Sequence, residues 1–313
     1  MSLIQVQAAG LLTTVQDLGR PGFGSLGVSS SGAADPISLR LGNRLVGNVE
    51  SAAGLEMTLF GGTFLFPQGA IVALTGSDFG ATLEDATVDL GTSFEVHPGQ
   101  TLRLGPTRSG ARCYLCVQGG IAVPPFLGSA STHILSGLGG FEGRPLRAGD
   151  VLSIGPVTRA FRKRTIAPHL SKCLFPRSAL RVTPGPQLDW FSPSARRSFF
   201  SSTYRIGEQS DRMGLRLEGA AISQRVPRTM ITEGVSLGAV QVPQGGLPII
   251  LFVEQQTTGG YPKIANVISA DLHRLGQIRP RDEIRFERVS WKAAQSLFME
   301  QEKILAFGES ILE

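Results

Sequence analysis

The sequence predicts a mainly β protein built as two successive β-rich parts with few, short helices. Three observations carry that prediction. Glycine and proline are abundant, 39 and 19 in 313 residues, which favours short strands joined by tight turns over long helices. A turn followed by alternating apolar and polar residues recurs three times, at His97–Gly105, Leu146–Gly155 and Ile278–Phe286. The copies are too few and too unevenly spaced for a solenoid or a propeller, and they read as strands of barrels or sandwiches. Finally, a basic, acid-free segment separates two stretches of similar character. The parts predicted are 1–156, a linker at 157–178, and 179–313.

The opening, Met1–Val6, reads as a strand: it has neither the basic start nor the apolar centre of a signal peptide. One helix is expected in the first part. Asp35 caps it, Pro36 takes its first position, and Ile37, Leu41, Leu45 and Val46 form its apolar stripe up to Gly47-Asn48. Strands are expected at Leu55–Phe66, Ala70–Thr75, Thr92–Val96 and Arg112–Val117. The second part reopens with the strand at Ala179–Val182. It ends in a helix from about Ser290, with Trp291, Ala294, Leu297 and Phe298 at helical spacing.

Composition excludes several classes. With 42% hydrophobic and 18% charged residues, the chain folds rather than staying disordered. Its net charge of +5 is local, because six cations between Pro156 and Ser178 leave the remainder at −1. A whole-surface nucleic-acid footprint is therefore not expected, and the segment reads as a solvated linker. Three cysteines imply no disulfide framework and fit a reducing compartment. No apolar run approaches the roughly 20 residues of a membrane helix. A cytoplasmic protein is expected.

Several short matches are decoys. Cys113-Tyr114-Leu115-Cys116 has metal spacing but lies in an apolar strand, where residues three apart face opposite sides, so no metal is expected. Asp78-Phe79-Gly80 lacks every companion motif of a kinase. Gly137–Gly143 fails the dinucleotide and P-loop spacings. His97, His133, His169 and His273 are too scattered to propose a nucleophile and its base.

Four other segments carry candidate chemistry. After the apolar run Leu247–Val253, the polar turn Gln256-Thr257-Thr258-Gly259-Gly260-Tyr261-Pro262-Lys263 gathers hydroxyls, a phenol and an ammonium. Two glycines there, tolerant of positive φ, would let a ligand approach the backbone and form an anion-binding nest. Asp17 and Arg20 share one turn, Asp211 stands beside Arg212, and Gln241 is a lone amide inside an apolar strand. Both Asp–Arg pairs also fit turns held by side-chain bonds, and Gln241 also fits a satisfied buried amide. The inventory is donors and cations without an obvious nucleophile. It suits positioning and charge stabilisation of an anionic or polar reactant.

Thr13–Gly22, Gly32–Asp35, Gly119–Ile121, Gly128–Thr132, Ser210–Gly214, Ala239–Pro243 and Gln256–Ala265 together resemble the allophanate hydrolase subunit 2, or biotin-dependent carboxyltransferase, family. The resemblance runs from about Ile4 to Val289 and implies cyclophilin-like β-barrels, the two parts together making one carboxyltransferase-type domain. Bacterial members are described as the C-type subunit of ATP-hydrolysing 5-oxoprolinase. This implies a hydrolase that converts 5-oxo-L-proline to L-glutamate with two partners, one KipI-like (B-type) and one LamB/YcsF-like (A-type), and that is inactive alone. ATP is then the cofactor of the complex, and no covalent biotin is expected because the carrier Met-Lys-Met tripeptide is missing. No membrane or nucleic-acid partner is implied. On the matching positions, Lys263, Arg212 and Gln241 are expected to be catalytic. Gln256, Thr257, Thr258, Gly259, Gly260, Tyr261, Asp211, Arg20 and Asp17 are expected to bind substrate. Two alternatives remain: carboxyl transfer from carboxybiotin to urea or a related amide, and a regulatory protein antagonising a KipI-like kinase inhibitor. Three positions depart from the family pattern: Arg281 where glycine is usual, Ala130 where arginine is common, and Glu254 where aspartate is frequent.

Overall fold

The computed structural model describes residues 2–157, 160–167, 170, 179–224, 230–306 and 311–312. These fall into two compact units. Met1–Arg20, Ser31–Phe175 and Phe307–Glu313 contribute to the first, Pro21–Ser30 and Pro176–Ala306 to the second. Strands dominate both, and three α-helices occur among the described residues.

The first unit contains a seven-stranded sheet, ordered Ile121–Ala122, Val151–Ile154, Leu3–Ala8, Thr63–Phe66, Gln100–Arg103, Thr82–Leu83 and Ala86–Thr87. A five-stranded sheet runs Leu12–Gln16, Gly54–Thr58, Arg112–Val117, Ala70–Gly76 and Ser93–Val96. Ile4, Phe64, Leu102 and Leu152 of one sheet share a core with Leu55, Met57, Val72 and Leu115 of the other. The central strand Arg112–Val117 is buried along its whole length because both of its faces are covered. Cys113 points into the inter-sheet core, while Tyr114 and Cys116 meet the cluster formed with the first helix. Burial pushes both thiols up, so neither is a ready nucleophile.

That helix spans Pro36–Leu45 and starts as its sequence dictates. Asp35 accepts from the Ser38 amide at 3.0 Å and from the Ser38 hydroxyl at 2.6 Å. The predicted strand Leu55–Phe66 is two strands, one in each sheet. Leu59 bends at φ 59°, and a side chain at Gly61 would lie 2.3 Å from Leu104 Cβ, so the chain turns sharply between the sheets.

Of the predicted linker, residues 158–159, 168–169 and 171–178 lie outside the described residues. The rest is not a free connector. Thr165–Ile166 pairs antiparallel with Ile311–Leu312. Ser93 N donates to Arg164 O at 2.8 Å, and Arg164 N donates to Ser93 Oγ at 2.9 Å. Apolar Ile166 and Ile311 pack against the cluster around the first helix, which accounts for the docking.

In the second unit seven strands close into a barrel, ordered Ala179–Pro184, Lys263–Val267, Ala239–Gln241, Ile249–Leu251, Gly214–Glu218, Tyr204–Ile206 and Glu283–Arg288. The parallel pairing of Ala179–Pro184 with Glu283–Arg288 completes the ring. The helix Pro193–Ser201 stacks Phe199 on Phe286 at 4.5 Å, with Tyr204 alongside. The last helix, Trp291–Ala306, keeps Trp291 and Phe298 largely exposed. Ala294 and Leu297 of the predicted stripe are half-buried and Leu305 is buried, so the exposed part of the stripe is its Trp291 and Phe298 edge. Arg281 holds φ 74°, the left-handed conformation that explains why glycine suits this position.

Asp271 anchors the irregular helix Ser269–Gln277 to the barrel. Its carboxylate accepts from Arg181 N at 2.9 Å, Arg181 Nε at 3.1 Å and Arg274 Nη1 at 2.9 Å. Burial alone would raise its pKa, but the Arg181 hydrogen bonds and the Arg274 charge outweigh it and hold the carboxyl below the usual range. A carboxyl depressed on folding stabilises above its unfolded pKa of about 4, and that contribution is lost as pH falls through the folded value. Asp271→Asn is expected to cost about 2–4 kcal/mol near neutral pH, with the gap to wild type closing toward acid pH. Denaturant titrations at both pH values check this, and a gap constant with pH would contradict it.

Candidate functional site

The neighbouring barrel strands Ala239–Gln241 and Lys263–Val267 place Gln241 opposite Lys263, with a bulge between Val240 and Gln241 that re-aims the amide. Both polar residues sit in an apolar wall, Gln241 1% and Lys263 3% exposed. The Lys263 ammonium bonds the carboxylate of Glu233.

Gln187 clamps this pair. Its Oε1 accepts from Lys263 N at 3.1 Å, its own N donates to Lys263 O at 3.2 Å, and its Nε2 donates to Glu233 Oε1 at 3.1 Å. Gly185, two residues earlier, must be glycine: a Cβ there would lie 2.3 Å from Lys263 O. Glu233 is carried by the ribbon Glu233–Gly234, paired with Thr258–Gly259, so that Glu233 faces Gly259. The hydrogen bond from Lys263 is the leading reason why the Glu233 carboxyl titrates below the usual carboxylate range.

The adjacent glycines differ from expectation. Neither adopts a left-handed φ, and Gly259 lies in an extended ribbon. Close approach explains the glycine instead. A Cβ on Gly259 would sit 2.5 Å from Gln241 Nε2 and 3.0 Å from Gln256 Nε2. Gln241 Oε1 accepts from Gln256 Nε2 at 3.5 Å, whereas Gln241 Nε2 is buried without a hydrogen-bond partner among the described residues. An unsatisfied buried donor costs about 1–3 kcal/mol, which marks the place where an acceptor belongs.

Other sequence candidates fall around this turn. Thr257 O accepts from Val235 N at 3.1 Å, Thr258 lies in the ribbon, and Gly260 and Tyr261 are exposed. Asp211 caps its own turn, accepting from Met213 N at 2.8 Å and Gly214 N at 3.1 Å. Arg212 forms a deeply buried ion pair with Glu254, so the carboxylate that departs from the family's aspartate still has a cation to hold.

Asp17 and Arg20 lie in the first unit and bind the Gly128–Thr132 segment. Asp17 accepts from Gly19 N, Ser129 Oγ and Ala130 N, each at 2.7 Å, and from Ser131 Oγ at 2.5 Å. Arg20 donates to Ser131 O and to Phe126 O, and stacks over the Phe126 ring.

Gln187 and Glu233 are absent from the sequence-based candidates. Gln187 lies in a turn and Glu233 in a two-residue strand, both too short for periodicity to say anything. The available signals were Gly185 before one and the Glu233-Gly234 step in the other. The assembled groups can bind an anion, donate to a carbonyl or oxyanion, and hold a ligand against an extended backbone.

The carboxyltransferase domain, subdomain A and B, matches residues 26–288. The chain is 40% identical over 301 residues to the C-type subunit of 5-oxoprolinase from Escherichia coli (strain K12), covering 96% of each. It is 33% identical over 314 residues to urea amidolyase of Saccharomyces cerevisiae, covering 94% of this chain and 17% of that protein. The crystal structure of Kluyveromyces lactis urea carboxylase superposes with a TM-score of 0.91 at 33% identity, over 99% of this chain and 30% of that one. The chain thus spans less than a third of these two longer proteins.

Gln187→Ala removes the acceptor of the Lys263 amide and a donor to Glu233. It is expected to destabilise the second unit by about 1–3 kcal/mol and to speed hydrogen exchange at the Lys263 amide. Wild-type exchange at that amide would contradict the clamp.

Proposed function

The chain belongs to the carboxyltransferase-domain family, subdomains A and B, and from that premise we propose that it is the C-type subunit of an ATP-dependent 5-oxoprolinase. The observation that carries this reading is the identity to the bacterial protein, which extends over nearly all of both chains. A LamB/YcsF-like partner and a KipI-like partner complete the enzyme, and the chain is inactive without them. A cytoplasmic location follows from its use of ATP.

The lactam carbonyl of 5-oxo-L-proline is a poor electrophile. ATP would supply activation by phosphorylating that carbonyl oxygen. Water would then add to the carbon, and the C–N bond would break with the ring nitrogen leaving as the amine. A second water would hydrolyse the resulting acyl phosphate to L-glutamate and phosphate. The residues of this chain bind and orient. Lys263 neutralises the carboxylate or the phosphorylated oxygen, with Arg212 supplying a second buried positive charge. Gln241 offers its unpartnered Nε2–H to an acceptor oxygen, and Gln256 holds that amide from behind. Thr257, Thr258, Gly259 and Gly260 form the surface along which the ligand lies, and Tyr261 orients the turn. Asp211 fixes the loop that carries Arg212, while Asp17 and Arg20 keep the Gly128–Thr132 segment rigid.

Carboxyl transfer to urea is the second reading, favoured by the close superposition on the urea carboxylase. The same donors would stabilise a ureido oxyanion. Lower identity to those relatives ranks it behind.

Glutamate release from 5-oxo-L-proline and ATP is expected when the chain is co-purified with its two partners, and is expected to vanish when it is omitted. Release that persists without the chain would overturn the assignment, and no release in either case would favour carboxyl transfer. Gly259→Ala, whose nearest neighbours would be the side-chain ends of Gln241, Gln256 and Val235, is expected to lower turnover about tenfold to a hundredfold while the fold is retained.

A further inference from the structure

Two buried cations of the second unit, Arg212 and Lys263, are held differently, while a third, Arg274, is paired with the fully enclosed Asp271. Arg212 and Glu254 are both enclosed, at 5% and 4% side-chain exposure, so their pair is fixed. Lys263 is equally enclosed at 4%, but Glu233 is 46% exposed. Glu233 is also the hydrogen-bond partner of the ammonium among the described residues. A buried ammonium needs a counter-ion at all times, because the uncompensated charge is costly. Glu233 meets that need from a half-exposed carboxylate that can turn into water, giving up the hydrogen bonds from Lys263 and from Gln187 Nε2. Directly across the strand pair, Gln241 Nε2 lacks an acceptor among the described residues. The site therefore holds one exchangeable anion and lacks one acceptor, side by side.

We infer that Glu233 is a placeholder which an incoming carboxylate or phosphoryl oxygen displaces from Lys263, making Glu233 the residue that sets the site's selectivity for anionic over neutral ligands. This rests on the reading of Lys263 as the ligand-binding cation. Exchange of one anion for another leaves the local charge unchanged. A neutral ligand cannot make that exchange, since it would leave Lys263 uncompensated. Arg212, locked to Glu254, does not offer the same exchange.

Glu233→Gln keeps an acceptor oxygen and removes the competing charge. In the assembled enzyme, KM for 5-oxo-L-proline is expected to fall roughly threefold to tenfold. An unchanged or higher KM would overturn the inference. A second measurement needs no turnover: the rise in melting temperature of this chain on adding inorganic phosphate at constant ionic strength. The rise is expected to be larger in Glu233→Gln and Glu233→Ala than in wild type, and absent in Lys263→Met. Equal rises in wild type and both Glu233 variants would overturn the placeholder. If 5-oxo-L-proline is not turned over at all, the functional reading fails, and the phosphate comparison still decides the role of Glu233.

Discussion

A lysine can be buried in a barrel wall only if its charge is cancelled and its backbone is held, and the arrangement around Lys263 follows from that constraint. The counter-charge comes from Glu233, delivered by a ribbon that pairs with Thr258–Gly259. The backbone is held by Gln187, which satisfies the Lys263 amide and carbonyl together. Two glycines make the packing feasible, Gly185 against Lys263 O and Gly259 against Gln241 Nε2. Each contact recruits a different segment, so one buried cation fixes the position of three turns.

The first unit solves a similar problem with a different balance. Glu56 is buried and accepts from Ala34 N at 2.8 Å and from the Tyr114 hydroxyl at 2.7 Å, with the Arg112 guanidinium beside it. Asp17 accepts from two serine hydroxyls and two backbone amides. In these networks the acids are the enclosed groups, and their acceptor sites are filled by the surrounding chain, which favours rigidity. Around Gln241 and Lys263 a donor is left without an acceptor and a counter-ion stands half in water. Other buried polar atoms lack a partner among the described residues, Gln16 Oε1 and Tyr204 Oη included, so it is the half-exposed counter-ion beside the unpartnered donor that marks a place for a ligand.

Much of the fold was legible because local chemistry encodes it. Asp35-Pro36 announces a helix start, a continuous apolar run marks Arg112–Val117 as a strand, and alternation marks Glu283–Arg288 as another. A barrel was expected from the family resemblance, but which strands close it was not legible, because Ala179–Pro184 and Glu283–Arg288 pair across some hundred residues of chain. Within the site, Gln241, Gln256 and Lys263 stood out as polar groups next to apolar runs. Gln187 and Glu233 did not, since their partner is 76 and 30 residues away and nothing periodic links them. The glycine pair was noticed for the wrong physical reason: Gly259 serves close approach rather than a left-handed turn. Of the helical stripe read from spacing, Ala294 and Leu297 are half-buried, while Trp291 and Phe298 stay exposed.

The central claim is that the charge of Lys263 acts on the ligand and is not there to hold the barrel together. Lys263→Met preserves an unbranched chain in the wall and removes the ammonium. Turnover of the assembled enzyme measured beside co-purification of its components tests the claim most directly. The account predicts a loss of about a hundredfold or more in turnover with assembly retained. Unchanged turnover would contradict it.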